Sequence, residues 1–124
     1  MTDRDQIMAV LETSLAFDTS VIVRSAGAIA EIHGFLTVRR EAEWITLGDE
    51  GSSHVHLNIQ DGSRLHYTQP DAGNAALELR GPDGALLCRV SFRHTNQARA
   101  EQYDAERAAR VRARFGWLAE RAKR

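Results

Sequence analysis

A chain of 124 residues with 43% hydrophobic content has the length of one domain and enough apolar side chains for a single core. It contains no apolar run long enough for a membrane-spanning helix. The net charge of −1 is unevenly spread: residues 1–98 carry eight basic and thirteen acidic side chains, residues 99–124 eight basic and four acidic.

The polar start Met1-Thr2-Asp3-Arg4 lacks the basic and apolar regions of a secretory leader. Cys88 is the single cysteine, so no internal disulfide forms, and its place in a strand pattern reads as a small buried hydrophobe. Together these predict a cytoplasmic protein. Fifteen of the sixteen basic residues are arginine, a bias that with the many alanines points to a GC-rich bacterial gene. Individual arginines therefore carry little information as choices over lysine.

Residues 3–16 place Ile7, Val10, Leu11 and Leu15 on one stripe behind an N-cap at Thr2 or Asp3, which predicts an amphipathic helix. After Asp18-Thr19-Ser20, the β-branched run from Val21 to Ala26 reads as a strand, and Ile29 to Arg40 as the next, bent at Gly34. Further strands are predicted at 43–47, 53–59, 63–69, 75–80 and 85–93. Gly48-Asp49-Glu50-Gly51, Asp61-Gly62 and Pro82-Asp83-Gly84 make the turns between them. From Ala98 to about Arg121 a second helix is expected, with Ala108, Val111, Phe115 and Leu118 on its apolar stripe. Helix, about seven strands of antiparallel meander, then helix is an α+β arrangement, read as one domain over residues 1–124.

Strand alternation sorts the side chains of the central region. Leu57, Leu65, Tyr67, Cys88, Val90 and Phe92 face one way; His54, His56, Arg64, His66, Arg89 and Arg93 face the other. The second face is either half-solvated or a surface for an anion. His54 and His56, two apart on one strand, have the spacing of metal ligands, with His66 as a third from the adjacent strand and Glu78 as the one candidate carboxylate. The competing reading is a set of solvated histidines on an exposed face. His33 reads as a core or edge histidine. Trp44 and Trp117 read as core or interface anchors.

Phosphate-binding and dinucleotide loops, nucleophile elbows and cysteine pairs for zinc are all absent from the sequence. The C-terminal arginines are interleaved with Glu101, Asp104, Glu106 and Glu120, which reads as a solvated helix face rather than a nucleic-acid contact.

The succession Trp44-Ile45, His54-Val-His-Leu-Asn-Ile59, Ala76-Leu-Glu-Leu-Arg-Gly-Pro-Asp-Gly84 and Leu86-Leu-Cys-Arg-Val-Ser-Phe92 resembles the haem-utilisation carrier family (the ChuX, HutX and HemS type). The resemblance covers about residues 21–118 and rests on pattern and spacing. It implies one half of that family's fold, a sheet with flanking helices, and therefore a homodimer. It further implies a cytoplasmic haem-binding protein that stores, carries or helps degrade haem. His56 matches the family's histidine in the His-Leu strand. The family's iron ligand is histidine in some members and tyrosine in others, so His54, His66 and Tyr67 stay open beside His56.

A haem site needs an imidazole or phenolate for iron, apolar walls, and cations for the propionates. Arg89 and Arg93 are the expected anion partners. A rival reading makes the same face a small-molecule active site, with a histidine base oriented by Glu78. Another makes it a partner-binding module.

Overall fold

The computed structural model describes residues 1–48 and 53–119. The expected turn through Asp49-Glu50-Gly51 and residues 120–121 of the expected C-terminal helix lie outside the described residues; before them the α-helix already ends at Phe115 and gives way to a 3-10 turn at Gly116–Leu118, with Ala119 extended.

Helix α1 (Arg4–Ser14) starts at Asp3, whose carboxylate accepts the Gln6 amide at 2.9 Å, satisfying one of the amides a helix start leaves open. It buries Ile7, Met8 and Leu11; Val10, expected on that stripe, is only partly buried. Eight strands follow: β1 (Thr19–Ser25), β2 (Ala28–Gly34), β3 (Thr37–Glu41), β4 (Trp44–Gly48), β5 (His54–Asn58), β6 (Arg64–Thr68), β7 (Ala76–Arg80) and β8 (Leu86–Phe92). All strand pairs are antiparallel, and the α+β arrangement with a helix at each end stands as expected.

The meander is divided between two sheets. One has the order β2-β1-β8-β7-β6, the other β3-β4-β5. Ile29–Arg40, expected as one bent strand, is two strands in different sheets. Gly34 ends β2 at φ +116°, a left-handed conformation that favours glycine, and the chain leaves there for the second sheet. The ends of the meander meet instead, because β1 pairs with β8.

A glycine is also needed where β4 hands over to β5. Gly48 sits at φ +116°, and a Cβ there would lie 2.5 Å from the Ser53 carbonyl oxygen. No other residue type fits that approach.

Helix α2 (Ala105–Phe115) begins seven residues later than expected, behind its N-cap Asp104, whose carboxylate accepts the Arg107 amide. Before it, the Asn96 side chain caps the Ala98 amide and the Asp104 amide donates to the His94 carbonyl, so residues 96–102 turn instead of coiling. Ala108, Val111, Phe115 and Leu118 are buried as predicted. One apolar cluster takes side chains from both helices and both sheets. At its heart Phe92 stacks on Phe115, with Phe17 edge-on to both. Among the described residues, no helix is long and apolar enough to cross a membrane.

Met1 and Ala119 both lie against the outer edge of β6. Met1 exchanges backbone hydrogen bonds with Leu65, and Ala119 bridges in parallel to Tyr67. The opposite edge, β2, has only β1 as a strand partner among the described residues.

Candidate functional site

The predicted alternation holds: Leu57, Leu65, Tyr67, Cys88, Val90 and Phe92 are all buried, while His54, His56 and Arg64 are exposed and His66, Arg89 and Arg93 half-exposed. The outward face is nevertheless not one surface. His54 and His56 stand on the three-stranded sheet, whereas His66 and Arg89 stand on the five-stranded one and Arg93 just beyond its β8. Strands β5 and β6 are consecutive in sequence but not paired, because residues 59–63 carry the chain from one sheet to the other and bury Ile59 on the way. His66 is therefore not beside His54 and His56 in a common sheet. Among the described residues, no three His, Cys, Asp or Glu side chains gather closely enough to hold a metal ion by themselves.

On the five-stranded sheet, cross-strand register builds a charged row. His66, Glu78 and Arg89 are successive partners on β6, β7 and β8. Glu78 Oε1 lies 3.0 Å from His66 Nε2, and Oε2 accepts from Arg89 Nη1 at 3.1 Å. Arg80 reaches Oε1 from two residues along β7 at 3.4 Å, and Arg89 also donates to the Asn74 carbonyl. Glu78 does orient a histidine, as the enzyme reading requires. Both of its oxygens are also held by guanidinium groups, so this carboxylate ties three strands together.

His56 has a different setting. Its exact cross-strand neighbour on β4 is Thr46, and Thr46 Oγ1 lies 2.8 Å from His56 Nδ1. The other ring nitrogen, Nε2, has no hydrogen-bond partner among the described residues. His56 also borders two concavities of about 470 Å³ each. One lies over the outer face of the three-stranded sheet, with Arg39, Ala42 and Trp44 in its wall. The other lies between β5 and the β7–β8 turn, walled by Leu57, Pro82 and Leu87. Asn58, also in its wall, has a buried amide oxygen without a hydrogen-bond partner. The His54 ring meets the His56 ring edge-on, with centroids 4.8 Å apart.

Trp44 and Trp117, expected as core or interface anchors, are not in the core: they are 48% and 66% exposed. Trp44 instead supplies aromatic surface beside His56, a role visible in sequence only as its place two residues before Thr46. Tyr67 is buried and its hydroxyl donates to Gln69. Burial pushes its phenol up, against a smaller opposing effect of Arg112, so it stays protonated at neutral pH and is poorly suited to bind iron as a phenolate. His33 is an exposed edge residue on β2.

No protein-family model matches the chain, and no curated protein matches it.

Proposed function

We propose that the protein binds haem at His56 and serves as a cytoplasmic haem carrier of the haem-utilisation type. The observation that carries this reading is the state of His56. Its Nδ1 is held by Thr46, its Nε2 is left for a ligand, and it borders two concavities with mixed walls, apolar at Ala42, Trp44, Leu57, Pro82 and Leu87 and acidic at Glu41 and Asp83. A proton on Nδ1, donated to Thr46 Oγ1, leaves the Nε2 lone pair for iron and fixes the ring, as outer partners of metal-bound histidines do.

The remaining residues fit the group in part. Trp44 and Leu87 offer surface to a flat apolar ring, and Arg39 offers a cation for a propionate. Arg89 is bonded to Glu78 and Asn74, while Arg39 lines the concavity that holds Trp44 and His56. His54 is the neighbour that can substitute for His56, whereas His66 belongs to the Glu78 row. When bound, haem would supply the iron, and His56 would hold it beside the aromatic surface of Trp44.

The same reading takes the protein as a homodimer. Within the five-stranded sheet, Met1 and Ala119 flank β6, and β2 is the edge open to pairing among the described residues; Ile29 on β2 and Phe35 just after it are 61% and 78% exposed.

Titration of the purified protein with haemin, followed by visible absorbance and by molar mass in solution, tests the proposal. A saturable, shifted Soret band near one haem per chain is expected, displaced by His56→Ala and unchanged by His66→Ala. A featureless signal that never saturates overturns the haem reading. A mass of one chain overturns the dimer.

A further inference from the structure

A second cavity, away from His56, has its own chemistry. It encloses about 330 Å³ between the loop before β7, Glu31 on β2, and the segment that follows β8. That segment places Arg93, His94, Asn96 and Arg99 in its wall.

The hydrogen-bond accounting of the wall is lopsided. Asn74 Oδ1 accepts from the Thr95 amide and Asn96 Oδ1 from the Ala98 amide. Each side-chain oxygen is thus bonded to the backbone, and neither NH₂ group makes a hydrogen bond among the described residues. His94 Nδ1 faces the Gln102 carbonyl at 3.2 Å, and a carbonyl can only accept. His94 is itself held at φ +65°, a conformation uncommon outside glycine.

The charges lean the same way. Arg99 makes no ion pair among the described residues, and Arg93 approaches only Asp18, at 3.8 Å, beyond hydrogen-bond range. Glu31 is the single carboxylate in the wall. Two arginines and two asparagines share the cavity wall with one carboxylate.

We propose that this cavity binds a small oxyanion, a phosphate or a carboxylate, through Arg93, Arg99 and the side-chain amides of Asn74 and Asn96. Planar guanidinium groups suit either oxyanion because they present paired donors. Glu31, facing the anion, weakens its binding, and that gives the proposal a sign that a merely sticky basic surface lacks. Nothing in it depends on haem.

The test is a titration of the protein with inorganic phosphate and, separately, with acetate, read by the side-chain NH₂ resonances of Asn74 and Asn96. Saturable shifts at both asparagines with either ion are expected at millimolar concentration, and the tighter ion identifies the ligand class. Arg99→Ala, at an exposed position whose side chain makes no hydrogen bond or ion pair among the described residues, is expected to weaken binding about tenfold. Arg93→Lys, which keeps the charge and loses the paired donors, is expected to weaken it less. Glu31→Gln is expected to tighten binding roughly two- to threefold, and His56→Ala to leave it unchanged. Absence of saturation with both ions, or weaker binding in Glu31→Gln, overturns the proposal.

Discussion

Thr46 and His56 face each other across the β4–β5 pair, with Oγ1 and Nδ1 2.8 Å apart. This bond does for the imidazole what packing does for a core side chain: it holds one ring orientation. Thr46→Val keeps the β-branched shape and removes the hydroxyl. If His56 is the iron ligand, Thr46→Val is expected to weaken haem affinity about tenfold, the scale of losing an outer partner of a metal-bound histidine. The check is competition for haemin against apomyoglobin. Equal affinity in the variant would remove Thr46 from the site.

Glu78 holds β6, β7 and β8 together through His66, Arg80 and Arg89, and its side chain is only 17% exposed. Glu78→Gln leaves two guanidinium groups without their counter-charge. Removing one partner of a buried pair costs several kcal/mol, and partial solvent access here reduces that to roughly 2 kcal/mol. A urea midpoint measured at neutral pH reads the loss directly. An unchanged midpoint would mean that solvent already screens the row.

Cys88 is fully buried, and burial pushes its thiol up from 9.0 to about 12. Below pH 9 the thiol is protonated in both folded and unfolded chains, and its contribution is fully present. As pH rises above about 9, the unfolded chain releases a proton that the folded chain keeps, so stability falls until the folded thiol also ionises near 12. The slope approaches roughly 1.4 kcal/mol per pH unit. Tyr67, also raised, adds to the decline with the same sign. Denaturation of Cys88→Ala across this range is expected to give a shallower decline than the parent, whatever its absolute stability. In the native parent the thiol is expected to resist a disulfide reagent until denaturant is added.

Part of this architecture is local and was legible in the chain. A strand side chain points in or out by its parity alone, so the buried row from Leu57 to Phe92 followed from alternation. Likewise the stripe Ala108, Val111, Phe115 and Leu118 followed from helical spacing. The helix starts were less clear. Asp3 capped the first helix as expected, but Asp104 starts the second, because the Asn96 side chain holds the preceding residues in a turn.

The site was divided in a way no local pattern reports. Parity placed His54, His56, His66 and Arg89 on outward faces but said nothing about which sheet each face belonged to. That depended on Gly34 and on residues 59–63, where the chain leaves one sheet for the other. It depended equally on the pairing of β1 with β8, two strands more than sixty residues apart. By itself the sequence determined the α+β class, the terminal helices and the inward or outward sense of each strand residue, because these follow from periodicities of two and 3.6 residues. Only the tertiary structure decided that His66 meets Glu78, that His56 meets Thr46 beside an exposed Trp44, and that Arg93 turns to a separate cavity. Those contacts join residues distant in sequence, and their geometry exists only once both sheets have closed on a common core.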